Sequence, residues 1–333
     1  MLMRLGEEMT DNSEFEATRQ IHTVLVMHFL DGQKQSDIAE MLNLSTSKVN
    51  RLIAQGRKLG MVRIEINSPF ERLVQMEQLL VQATRLSSAV VTPAISGNLG
   101  STLRQVGRAA ANQLLESLRD GDVVAITGGK AMSAVVDNID PERTFDVTVV
   151  PLTGGVQGKY YTDVNHLASR LAERLGGKTH LMLAPLFAES VDQRDMLMQL
   201  PSVKETLHMA RQAAIAMVGI GSIQTPGSSY YDLNPNSTGD REQLIRNGVV
   251  AEFLAHLVSE DGKVANYSLN SRLVALAPSD LSNCRKVIGV AAGAEKAMPI
   301  RAVLNGGYLN SLVVDEETAA KVLEGVDGRY DAA

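Results

Sequence analysis

The stretch QSDIAEMLNLSTSKVNRLIAQGRKLG, Gln35 to Gly60, has the apolar spacing of two short helices joined by a sharp turn. Ile38, Ala39 and Leu42 form one helical face, Val49, Leu52 and Ile53 another, and Leu44 fills the corner between them. Asn43 suits the turn, because after Gly it is Asn and Asp that enter the left-handed region most cheaply. Small Ala39 permits close helix approach, and Ser45 is placed to cap the second helix. The outward residues of that helix are Thr46, Ser47, Lys48, Asn50, Arg51 and Gln55, donors and acceptors suited to base edges and phosphates. An ordinary helical hairpin with a solvated face would share the apolar spacing.

Charge separates the two readings. From Arg19 to Ile64 seven cations (Arg19, Lys34, Lys48, Arg51, Arg57, Lys58, Arg63) oppose three carboxylates (Asp31, Asp37, Glu40), a local +4 in a chain whose net charge is −6. A basic island in an acidic protein is the footprint of a phosphate-binding module. Asn50 and Arg51 are the expected base readers, Lys58 and Arg63 the expected phosphate contacts.

Outward from this stretch, residues 1–18 read as a flexible acidic leader. The set Ile21, Val24, Leu25, Met27, His28 and Phe29 reads as a supporting first helix that stops near Asp31-Gly32. Met61 to Ile66 alternates apolar and charged side chains, the period of a half-buried strand, so residues 19–68 form a winged helix-turn-helix domain. Residues 69–87 form a linker helix whose seam of Leu73, Met76, Leu80 and Ala83 either pairs with its twin or packs on the body of its own chain.

Residues 88–333 change texture to short apolar runs separated by helices. The runs are Ala89 to Val91, Val123 to Ile126, Val147 to Val150, His180 to Leu183, Ile215 to Val218, Val287 to Val290 and Leu312 to Val314. Helical crossovers between strands imply a mainly parallel α/β sheet covered on both faces. The 333 residues, 44% hydrophobic and 21% charged, suit two globular domains. Aromatic residues at 4% without Trp argue against single-stranded nucleic-acid platforms. The lone Cys284 excludes an internal disulfide, and neither a secretory signal nor a run of 18 apolar residues occurs. A soluble cytoplasmic protein is expected.

Ligands of open α/β sheets gather at the carboxyl ends of strands. Four such ends carry glycine turns: Thr127-Gly128-Gly129-Lys130, Thr153-Gly154-Gly155, Gly219-Ile220-Gly221-Ser222 and Ala291-Ala292-Gly293-Ala294-Glu295-Lys296. Strand-to-helix turns favour glycine in any case, yet four on one edge point to a small polar or phosphorylated ligand. Thr127 to Met132 shares only its Gly-Lys with a nucleotide P-loop and has Ala131 where Ser or Thr would hold magnesium, and no dinucleotide fingerprint follows the first strand. No cofactor is expected. The six histidines show no metal spacing, and His166 and His256 read as members of helical stretches. Ser229-Tyr230-Tyr231-Asp232 falls in a Pro/Gly-rich loop, Thr225 to Gly239, either a lid or a surface excursion. Asp261-Gly262 marks a turn, and Asp315-Glu316-Glu317 caps the last helix.

This layout resembles the SorC (SorC/DeoR) family of bacterial sugar-responsive transcription regulators from about Arg19 to Leu323. The blocks that carry the resemblance are the opening QSDIAEMLNLSTSKVNRLIAQGRKLGMVRIEI, then DVVAITGGKAM, TVVPLTGGV, HLMLAPLF, AMVGIGSI and GVVAEFLAHLVSEDG, and the closing KVIGVAAGAEKAMPIRAVLNGGYLNSLVVDEETAAKVL. The resemblance implies an N-terminal winged helix-turn-helix, a C-terminal effector domain folded like phosphosugar isomerases and deaminases, and dimers or tetramers on the operators of sugar or polyol operons. It also implies that a sugar, sugar phosphate or polyol alters DNA affinity. Carried over by position, Gly129, Gly154, Gly155, Gly219, Gly221, Gly293 and Lys296 line the effector pocket; Thr127, Lys130 and Thr153 come from the strand-end reading alone. Where the family usually has Trp-Gly-x-Thr, this chain has Gly128-Gly129-Lys130-Ala131, which removes an aromatic wall and a hydroxyl and adds a charge. The second reading is a sugar-phosphate isomerase or deaminase fused to a DNA-binding module, with Glu295, Asp163 or Asp232 as acid or base.

Overall fold

The computed structural model describes residues 15–62, 70–156, 163–224 and 238–325, with the backbone alone for residues 238–241. The chain divides into a head, Met1–Pro69, and a body, Phe70–Ala333.

Three helices build the head. The first, α1, spans residues 15–25 and runs on as a π-turn over Val26–Leu30. It begins inside the stretch read as a loose leader, whose residues 15–18 are helical. Helices α2 (Gln35–Met41) and α3 (Thr46–Lys58) follow. Asn43 reverses the chain at φ 51°, and the Leu44 N–H reaches the Ala39 carbonyl at 2.8 Å. Ser45 caps α3 by accepting from the Lys48 N–H at 3.2 Å. Ile21, Val24, Leu25, Ile38, Val49, Leu52 and Ile53 form the core. Gly56 lets α3 settle onto α1, since a Cβ there would stand 2.6 Å from a Leu25 methyl. The expected wing strand runs beyond the described residues at Arg63.

The body is built on a parallel sheet in the order β1-β10-β9-β5-β2-β3-β4. Its strands are β1 (Ser88–Thr92), β2 (Val123–Ile126), β3 (Thr148–Pro151), β4 (Lys178–Thr179), β5 (Ile215–Gly219), β9 (Lys286–Val290) and β10 (Ser311–Asp315). β4 lies just before the run His180 to Leu183, which continues as extended chain bridged further on to Gly155 and Leu273. A second sheet, β6 (Gly221–Ser222), β7 (Val249–Phe253) and β8 (His256–Ser259), is antiparallel. His256 therefore sits on a strand, not on the helical stretch expected for it.

Strand residues alternate between two cores because successive side chains point to opposite faces. Val124, Ile126, Val149, Met217 and Val290 meet helices α5 (Leu99–Ser117), α6 (Lys130–Asp137) and α7 (Val164–Leu175). Ala125, Val150, Ala216, Val218 and Leu312 meet α4 (Glu71–Gln82), α9 (Pro201–Arg211), α11 (Ala297–Asn305) and α12 (Glu316–Glu324). Helices α8 (Val191–Gln199) and α10 (Thr238–Arg246) complete the series. The α4 seam of Leu73, Met76 and Leu80 packs inward on its own body, and Glu77 accepts from the Val91 N–H at 2.9 Å.

Helices α5 and α6 touch closely at Gly107, where a Cβ would lie 2.7 Å from the Ala134 carbonyl. Gly107→Ala is expected to destabilise the body by about 1–3 kcal/mol through overpacking. Urea denaturation checks this: the midpoint falls and the slope stays constant.

Candidate functional site

In the head, the polar residues of α3 face out. Thr46, Ser47, Asn50, Arg51, Gln55 and Lys58 are exposed, Lys48 is half-buried, and Val49, Leu52, Ile53 and Gly56 are buried behind them. The arrangement follows from helical period: positions 46, 47, 50, 51, 55 and 58 share one face, opposite the residues that meet α1 and α2. Arg57 lies apart, its guanidinium 5.4 Å from the Phe29 ring centre. Arg63 lies outside the described residues.

In the body, the chain order identifies one crevice. From β2 the sheet grows one way through β3 and β4, then resumes on the other side of β2 with β5, β9 and β10. Ligands of doubly wound sheets bind at such a reversal, where neighbouring strands send their connections to opposite sides. The reversal lies between β2 and β5. There Oγ1 of buried Thr127 accepts from the Gly219 N–H at 3.0 Å, tying the two strand ends together. Gly129, at φ 105°, caps α6 without a side chain, and Lys130 is exposed at the first turn.

Four charges gather beside this crevice. Burial holds the Lys296 ammonium below the ordinary lysine value; Glu252 and Glu295 pull it back up, and Lys130 pushes it down. Glu252 arrives on β7, paired across the sheet with Gly221, and its Oε2 fills the space a Cβ on Gly221 would need. Its other oxygen, Oε1, accepts from the Ala255 N–H at 3.1 Å. The Glu295 carboxylate lies over Gly293, 2.5 Å from the place of a Cβ. Two ammonium groups and two carboxylates around glycine-lined backbone suit a small molecule dense in hydroxyls, which needs donors and acceptors together.

Thr127, Gly129, Lys130, Gly219, Gly221 and Lys296 are thus brought together. Thr153 is buried just beyond β3 and bridged to Ala275, while Gly154 and Gly155 do something else. The Gly154 N–H donates to the Val274 carbonyl at 2.7 Å and the Gly155 N–H to the Ala184 carbonyl at 2.9 Å. A Cβ on Gly154 would collide with Pro185, so these glycines close a backbone seam and their amides are not offered to a ligand. The Gly293 N–H is likewise held, by Asp315 Oδ2 at 2.9 Å. Asp163 caps α7, accepting from the Asn165 and His166 N–H groups at 3.0 and 3.1 Å. Asp232 lies outside the described residues. Glu252 escaped the sequence reading; its signal was a lone carboxylate inside the apolar run Val249 to Phe253. Among the described residues no cluster of three or more His, Cys, Asp or Glu side chains could hold a metal, and no helix is long and apolar enough to cross a membrane.

Comparison with known proteins gives matches along most of the chain. Residues 68–324 match the family described as "Putative sugar-binding domain", and residues 20–59 match "Sigma-70, region 4". The chain is 31% identical over 308 residues to the transcriptional regulator LsrR of Escherichia coli K12, covering 91% of this chain and 94% of LsrR. It is 29% identical over 309 residues to the erythritol catabolism regulatory protein EryD of Brucella abortus, covering 91% and 96%. The full-length sorbitol operon regulator SorC of Klebsiella pneumoniae superposes with a TM-score of 0.72 at 26% identity, over 92% of this chain and 98% of that one.

Thr127→Val keeps the shape but leaves the Gly219 N–H without its acceptor, which is expected to cost about 1–3 kcal/mol. Thr127→Ser should recover most of that loss. Thermal denaturation of the two variants beside the wild type measures the difference.

Proposed function

We propose that this chain, which belongs to the SorC family of sugar-binding transcriptional regulators, controls a carbohydrate or polyol catabolic operon in the cytoplasm by binding its operator DNA. A small sugar, sugar phosphate or polyol in the crevice at Thr127, Gly129, Lys130, Gly219, Gly221, Glu252 and Lys296 regulates that binding. The observation that carries the reading is the division of α3, with Asn50 and Arg51 exposed on one face while Val49, Leu52 and Ile53 are buried on the other.

On DNA, α3 enters the major groove. Asn50 and Arg51 reach base edges, while Thr46, Ser47, Lys48, Gln55, Lys58 and Arg63 hold phosphates and set the register. The protein works as a dimer or tetramer, and paired helices must span half-sites about 34 Å apart. An effector that favours one arrangement of the assembly shifts DNA affinity by its differential binding to the two arrangements.

Two outcomes test this on duplexes from the gene's own neighbourhood. Arg51→Ala should weaken binding by about 1–3 kcal/mol on the preferred site and relax base choice at one position. Lys58→Ala should weaken binding on all sequences alike and lower the salt slope by about 1. Fluorescence anisotropy over a range of salt concentrations measures both; absence of binding to any such duplex sinks the reading.

A further inference from the structure

The β7–β8 hairpin turns on Leu254 and Ala255, both in the left-handed region at φ 50° and 62°. Two positive φ values define a type I′ turn, which is usually Asn-Gly, and neither residue here is of that kind. Burial holds the turn in place. Leu254 is 2% exposed within the main core, and Ala255, 8% exposed, packs on Leu186, Leu273 and Ala275.

The peptide between the two turn residues is gripped at both ends. The Leu254 carbonyl lies 2.9 Å from Nδ1 of His256. A carbonyl only accepts, so Nδ1 carries the proton and donates. The N–H of the same peptide, on Ala255, donates to Oε1 of Glu252 at 3.1 Å. Burial pushes the His256 pKa below the ordinary value, which keeps the imidazole neutral with its proton on that nitrogen. The other oxygen of Glu252 lies against Gly221 at the crevice.

Taking the crevice as the effector site, as proposed above, we infer that His256 is a positioning residue for effector binding: by fixing the 254–255 peptide, it fixes the Glu252 carboxylate that faces the ligand. The competing state is specific. Rotating this one peptide by half a turn gives a type II′ turn, which returns Ala255 to negative φ. The rotation withdraws the N–H from Glu252 and points a carbonyl at the carboxylate in its place. Two acceptors cannot stay in contact, so the carboxylate moves. The His256 donor opposes that rotation.

The test reads Lys296 in the full-length chain without any effector. Lysines are 13C-dimethylated and titrated by NMR, with the Lys296 signal assigned through Lys296→Arg. Glu252→Gln is expected to lower the Lys296 pKa below its wild-type value. His256→Phe keeps a ring and deletes the donor, and should shift Lys296 in the same direction. His256→Asn, whose amide can donate from the place of Nδ1, should restore the wild-type titration, and His256→Leu replaces His256→Phe if that variant does not fold. In a second arm, four- to six-carbon polyols and their monophosphates are screened by thermal shift. The best binder of the wild type should bind His256→Phe about tenfold more weakly and His256→Asn nearly as well as wild type. A folded His256→Phe or His256→Leu variant with an unchanged Lys296 titration overturns the role of His256, whatever binds. A wild type that binds no compound of the panel counts against the effector site, while the Lys296 arm alone decides the positioning.

Discussion

A parallel sheet with helices on both faces leaves polar ligands one kind of place, the loops beyond the strand ends. The central strands between those ends are mostly apolar, because each must satisfy a core on either side. Within that edge, the crossing of connections narrows the choice further: from the β2–β5 boundary the chain leads away in opposite directions along the sheet, toward β3 on one side and β9 on the other. The hydroxyl of Thr127, bonded to the Gly219 N–H, holds those two ends in register. The half-buried Lys296 can keep a charge in such a place because Glu252 and Glu295 act on it.

The head obeys a simpler constraint. A three-helix core this small has room for few side chains, so Val49, Leu52, Ile53 and Gly56 take all of the inner face of α3. The remaining positions must face water, and their chemistry is free to be chosen for a partner. They carry Asn, Arg, Gln, Lys, Ser and Thr, the residues that hydrogen-bond to bases and phosphates.

Elements whose signals are local were legible in the sequence. The turn at Asn43, the cap at Ser45 and the β-branched strand runs each depend on a few adjacent residues, and the chain writes them plainly. The β7–β8 hairpin was not legible. Leu254-Ala255 lacks the Asn-Gly or Asp-Gly that announces a two-residue turn, because this turn is buried and its side chains serve the core instead. The glycine ends divided for a different reason. Sequence shows that an amide at Gly154, Gly155 or Gly293 is approachable, but not that Val274, Ala184 and Asp315 approach it first. Glu252 depends on pairing between β6 and β7, which no local pattern records.

The same partner bonds bear on whether the body binds or reacts. A general base needs an oxygen open toward the substrate's proton. Oδ1 of Asp163 already accepts two backbone amides at the start of α7, and Oδ2 accepts from Val156 at 3.3 Å. Oε1 of Glu252 holds the turn at Ala255. Carboxylates fixed in this way can still accept hydroxyl donors with their remaining lone pairs, and fixed geometry favours recognition because little ordering is left to do on binding. Proton transfer asks for the opposite, a group whose protonation changes during the cycle, and that change would break the bonds that shape the crevice. Carboxylates held in this way suit recognition, in keeping with relatives that are regulators.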